Sequence, residues 1–112
     1  MKNYRAHSEY LDKALGDPKE AANYLNAAIE EGDLDLLKTV LIQIVRAHGM
    51  AQTARKVSMT RPGLYKSLSP KGNPTLNVFT KILSTAGLQM SFKPLPLHAR
   101  EKSATYSAHS HR

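Results

Sequence analysis

Ten lysine and arginine residues occur from Lys38 to Arg100, and no carboxylate side chain interrupts them. Such a run attracts polyanions, but it lacks the paired Asp/Glu groups that general acid–base catalysis uses. Its densest cations are Arg55, Lys56, Arg61, Lys66 and Lys71. Other reactive side chains are poorly arranged. His7, His48 and His98 are scattered, and His109-Ser110-His111 lies near the end of the chain, with no H-E-x-x-H spacing, so no metal site is expected. Zero cysteines leave no disulfide framework, thiolate zinc site or cysteine nucleophile. No motif sets a serine or threonine beside a base. Gly72-Asn73-Pro74 is a turn rather than a phosphate loop, because no G-x-x-x-x-G-K follows a strand. Tyr65 is the only aromatic residue between Gly49 and Ser69, where the cations are densest, too few for stacking along single-stranded nucleic acid. The expectation is a protein without cofactor and without enzymatic activity.

The frame that holds these cations is small. A chain of 112 residues supports one core with short extensions. Its 41% apolar and 22% charged content is ordinary for a folded soluble chain. No apolar run nears the ~20 residues that cross a bilayer, and no signal-peptide core follows the N-terminus. A cytoplasmic location without a membrane partner is the expectation. The net charge of +7 is divided unevenly. Residues 1–37 hold eight acids and four bases, a balance of −4, while residues 38–112 hold twelve bases and one acid, a balance of +11. Basic surface can serve solubility alone. This separation favours a polyanionic partner for the basic part.

Helix signals are frequent. Asp17-Pro18-Lys19-Glu20 reads as an N-cap, a first-turn proline and a capping-box glutamate. Ala21, Tyr24, Leu25, Ala28 and Ile29 follow at helical spacing, and Gly32 supplies a left-handed stop. Asp33 caps the next helix, whose stripe of Leu34, Leu37, Val40, Leu41, Ile44 and Val45 is the most apolar in the chain and ends at His48-Gly49. A weaker leading helix is expected over residues 8–15. Shorter helices follow over 51–57, after the N-cap Thr60 through Leu68 or Ser69, and after the cap Thr75 with Leu76, Phe79, Ile82, Leu83 and Ala86, closed by Gly87. Leu88-Gln89-Met90-Ser91-Phe92 alternates as a strand does and stops at Pro94 and Pro96. A lone strand needs a ladder partner. Leu88, Met90 and Phe92 are therefore candidates for pairing with a second copy, with residues 2–5 or a binding partner as the alternatives. Three segments result: an acidic helical extension over 1–32, the main domain over 33–93 and a flexible tail over 94–112.

Two short helices joined by a turn lie between Gly49 and Ser69. Ala54 supplies the small residue that lets the second helix cross closely, and Val57, Met59, Leu64 and Leu68 are its core positions. Thr60, Arg61, Pro62, Gly63 and Lys66 leave the other face polar or small, as entry into a major groove about 12 Å wide requires. The run Ala54-Arg55-Lys56-Val57-Ser58-Met59-Thr60-Arg61-Pro62-Gly63-Leu64-Tyr65, then Leu68-Ser69-Pro70-Lys71-Gly72-Asn73-Pro74-Thr75, carries a family resemblance. Together with Tyr24-Leu25-Asn26-Ala27-Ala28 and Glu31-Gly32-Asp33, it resembles the addiction-module antidote proteins over about residues 8–93. These are antitoxins of the Xre-type, lambda-repressor-like helix-turn-helix class. The resemblance implies an all-α bundle of five to six helices with one short C-terminal strand, here a candidate for pairing across a homodimer. It also implies a toxin–antitoxin operon, a RelE/ParE-like toxin as partner and repression of that operon through double-stranded operator DNA.

Roles follow for individual residues. Arg61 can fork onto O6 and N7 of a guanine, Gly63 allows close approach to base edges, and Lys66 reaches a base or a phosphate. Met50 and Gln52, at a helix start, together with Arg55, Lys56, Thr60, Lys71 and Asn73, are candidates for the DNA backbone. Three positions depart from the family pattern. Ser58 stands where a turn glycine is usual, Thr53 is polar where an apolar residue is normal, and Pro62 removes one donor from the groove-facing surface. The alternative reading is an interaction module whose acidic first third binds a basic toxin, with little or no specific DNA binding.

Overall fold

Side-chain oxygens start four of the five helices given below, and left-handed residues follow three of them, Gly32, Ser58 and Gly87. The computed structural model describes residues 13–99. Helix α1 spans Pro18–Glu31, with Asp17 as its N-cap and Pro18 in its first turn. Helix α2 spans Leu34–His48, and the Asp33 carboxylate accepts the Leu36 N–H at 2.9 Å. Helix α3 covers Met50–Lys56 and helix α4 covers Arg61–Ser67. The Thr60 hydroxyl accepts the Gly63 N–H at 3.0 Å. Helix α5 runs over Leu76–Thr85, capped by Thr75, whose hydroxyl accepts the Val78 N–H at 3.1 Å. Each such cap satisfies an amide that the first helical turn leaves unpaired and stabilises by ~1 kcal/mol. Residues 13–14 are helical and lead into a turn at Gly16, while residues 8–12 of the expected leading helix lie outside the described residues.

The apolar stripes meet around α2. Val40, Leu41, Ile44 and Val45 are buried on α2 and face Leu15, Ala21 and Leu25 before it and Ala54, Val57, Leu64, Leu68, Val78, Ile82 and Leu83 after it. Removing a Val, Leu or Ile side chain of this kind from water contributes ~1.5–3 kcal/mol. Helix α4 packs chiefly on α3, and α3 packs in turn on α2 and α5.

Four expectations are corrected. No strand forms among the described residues. After Gly87 the Leu88 N–H closes the end of α5 on the Leu83 carbonyl at 2.8 Å, and residues 88–96 run on outside any helix or strand. Alternating side chains alone do not make a strand. Pairing does, and Pro94 and Pro96 carry no donor. Second, Ile29 is 55% and Leu34 64% exposed, and Leu76 also faces solvent. Helical spacing draws a stripe, but the width of the packed partner decides how much of it is covered, and these residues lie at helix ends beyond the contact. Third, residues 97–99 are helical rather than irregular. Fourth, α3 starts at Met50, one residue before its expected position, whereas α4 starts at Arg61, directly after the expected cap Thr60.

Candidate nucleic-acid interface

The turn between α3 and α4 is set by two backbone hydrogen bonds. The Met59 N–H reaches back to the Ala54 carbonyl at 2.9 Å, and the Ser58 N–H reaches the Arg55 carbonyl at 3.1 Å. This 6→1 and 5→2 pair defines a Schellman stop, and it places Ser58 in the left-handed region at φ 60. Serine there carries the crowding that glycine avoids, as the sequence led us to expect. Ala54 is buried at the crossing, and Thr53 beside it is 0% exposed with no partner for its hydroxyl.

Leu64 and Leu68 fix one face of α4 in the core. Arg61 and Tyr65, and Pro62 and Lys66, are each four residues apart, so these two pairs form the opposite face, and all four side chains are exposed. Met50 at the start of α3 joins Arg61, Pro62 and Tyr65 around an open notch of about 440 Å³. Pro62 lies in the first turn of α4, where its missing N–H interrupts no helical hydrogen bond. Gly63 is partly buried: a Cβ there would lie 2.9 Å from the Thr60 hydroxyl. Its small size thus serves the cap as well as any outward approach.

Gln52, Arg55 and Lys56 are exposed along α3, and Thr60, Lys66, Lys71 and Asn73 are exposed around α4 and the loop after it. That loop lies directly on the end of α4. A Cβ on Gly72 would collide with the Lys66 carbonyl and stand 2.9 Å from the Ser67 Cα. Among the described residues none of Arg55, Lys56, Arg61, Lys66 and Lys71 makes an ion pair, because the sequence offers no nearby carboxylate. Unpaired cations on a face without opposing charge create a positive field directed outward. The arrangement offers cations, an arginine fork and an apolar notch. Among the described residues no cluster of His, Asp or Glu could hold a metal ion. No described helix is long and apolar enough to cross a membrane.

Leu88, Met90 and Phe92 are not part of this face. Leu88 packs against the core, whereas Met90 is 40% and Phe92 88% exposed. The extended segment passes the end of α1, where Lys93 is 4.0 Å from Glu30. The sequence reading also passed over Lys38, whose side chain is only 12% exposed. A signal was present: Lys38 stands four residues after Leu34 and three before Leu41, on the margin of the apolar stripe.

Comparison with known proteins places the chain in context. Residues 4–94 match the protein family described as "Probable addiction module antidote protein". An uncharacterized protein of Haemophilus influenzae is 39% identical over 75 residues, which make up 67% of this chain and 77% of that protein. No solved structure gives a significant match.

Proposed function

Because this chain belongs to the addiction module antidote family, we propose that it is the antitoxin of a toxin–antitoxin module and represses its own operon through α3 and α4. In this reading the two helices are a helix-turn-helix of the Xre, lambda-repressor-like type, and α4 enters the major groove of double-stranded operator DNA. The observation that carries it is the exposed face of α4, with Arg61 at its tip and no carboxylate nearby. Arg61 reads a guanine edge, and the notch beside it has room for a thymine methyl. Gly63 and Lys66 complete the base-facing surface, while Met50, Gln52, Arg55, Lys56, Thr60, Lys71 and Asn73 approach phosphates.

A single α4 spans few base pairs, so the repressor acts as a homodimer on half-sites about 34–36 Å apart. The segment after α5 supports this, since Met90 and Phe92 beside Leu88 expose apolar side chains suited to antiparallel pairing with a second copy. The toxin would be RelE/ParE-like and basic. Supporting a docking surface for it, Ile29, Leu34 and Leu36 are exposed at the α1–α2 corner among Glu30, Glu31, Asp33 and Asp35. That corner also favours the second reading, a toxin-binding module with little specific DNA binding. A cytoplasmic location follows from either role.

Mobility-shift titration of the DNA upstream of its own reading frame separates the two. With ~4 phosphates neutralised per protomer, log K should fall against log[salt] with a slope near −7 for the dimer. Arg61→Ala should lose discrimination between that DNA and a random duplex. A flat salt response rejects the repressor reading and leaves the interaction module.

A further inference from the structure

We propose that Lys38, on the core helix α2, is a positioning residue for the DNA-facing surface: it clamps the loop after α4 so that Lys71 is presented to a phosphate beside α4. The inference rests on the DNA-binding reading above.

A lysine side chain that is 12% exposed is uncommon and needs compensating partners. Lys38 finds them far away in sequence. Its ammonium donates to the carbonyl oxygens of Pro70 and Gly72, each at 2.9 Å. The Asp35 carboxylate, 79% exposed, stands 3.9 Å from the same nitrogen. Two of the three N–H directions an ammonium offers are thereby used in hydrogen bonds, with the carboxylate at ion-pair distance. Lys38 is thus committed to holding the loop, and its own charge is largely withheld from solvent.

Residue 71 lies between the two carbonyls that one ammonium grips. The loop is also tied to α4, because the Gly72 N–H donates to the Ser69 carbonyl at 2.9 Å and the Ser69 hydroxyl donates to the Lys66 carbonyl at 2.7 Å. Backbone on both sides of Lys71 is therefore fixed, and its side chain is left exposed. A cation on a fixed anchor loses less freedom on meeting a phosphate than one on a free loop. The clamp also reaches α4 from a second side. Helix α4 packs chiefly on α3, and the loop links its C-terminal end to α2.

The test is a double-mutant cycle of Lys38→Met and Lys71→Ala, with Lys38→Arg as the conservative variant. Each protein is titrated with a random-sequence duplex across a salt series, since phosphate contacts need no particular base sequence. Amide exchange is followed at Gly72 and, as an internal control, at Leu41. Lys38→Met and Lys71→Ala should each lower the salt slope by about one per protomer, and the double variant should lose no more than either single one. Lys38→Arg should restore much of the slope. Exchange at Gly72 should accelerate in Lys38→Met while Leu41 stays protected. A folded Lys38→Met with the full slope, or losses that add in the double variant, overturns the proposal. If Lys38→Met does not fold, Lys38→Gln carries the same cycle. Absence of salt-dependent duplex binding by the unaltered protein instead removes the DNA reading. Gly72 exchange then still judges the clamp, and unchanged protection in the lysine variant overturns it.

Discussion

The α1–α2 corner and the α3–α4 corner are stopped by the same pair of backbone hydrogen bonds, yet different residues occupy the left-handed position. At the first, the Asp33 N–H reaches the Ala28 carbonyl at 3.1 Å and the Gly32 N–H reaches that of Ile29 at 3.0 Å, with Gly32 at φ 68. At the second the equivalent bonds come from Met59 and Ser58, with Ser58 at φ 60. A Cβ on Gly32 would meet nothing within 4 Å, so only the backbone angle favours glycine there. Ser58 accepts the same angle with a side chain present. One turn of α3 earlier, Thr53 buries a hydroxyl without a partner. The relaxed corner is acidic and the imperfect one is basic. Ser58 and Thr53 thus set unfavourable local chemistry in the pair of helices that displays the unpaired cations, while His48 Nε2 at the end of α2 is the other buried side-chain atom without a partner among the described residues.

That contrast can be broken or sharpened by stability measurements in denaturant. The largest expected change is from Thr53→Val, which removes an unsatisfied buried oxygen at nearly constant volume and should stabilise by ~1–3 kcal/mol. No gain would mean that the hydroxyl is satisfied in solution. Next come the two left-handed positions as a reciprocal pair. Ser58→Gly should stabilise by about 1 kcal/mol and Gly32→Ala should destabilise by about as much, since the two angles differ little. Unequal effects would show that one corner carries more than backbone crowding. The caps after the turns should respond alike: Asp33→Ala and Thr60→Ala should each cost ~1 kcal/mol. Smallest is Lys93→Gln. Its ion pair with Glu30 is solvent-exposed on both sides, so stability should move by less than ~0.5 kcal/mol.

What the sequence made legible follows from the range over which each cause acts. Caps at Asp17, Asp33, Thr60 and Thr75 act within three residues, and their helices begin where those residues announce them. The left-handed angle at Ser58 was legible only through the family resemblance, which puts a turn glycine at that position. The strand over Leu88–Phe92 was misread because a strand is a relation to a partner, and alternation reports only half of it. Ile29 and Leu34 were placed on covered stripes because spacing carries no information about how wide the covering helix is. The partners of Lys38 were invisible for the same reason at longer range, since the two carbonyls lie 32 and 34 residues on. For the candidate interface, sequence named side chains that are exposed together, including Arg61, Lys66 and Lys71. It did not reveal the notch with Met50, which depends on how two helix starts come together.

Backbone amide shift mapping with the duplex upstream of its own reading frame tests the central claim most directly. The account predicts that perturbed amides cluster on α3, on α4 and at residues 71–73, and that the α1–α2 corner around Ile29 and Leu34 stays unperturbed. Shifts confined to that corner, or none at all on α4 at saturating duplex, would contradict it.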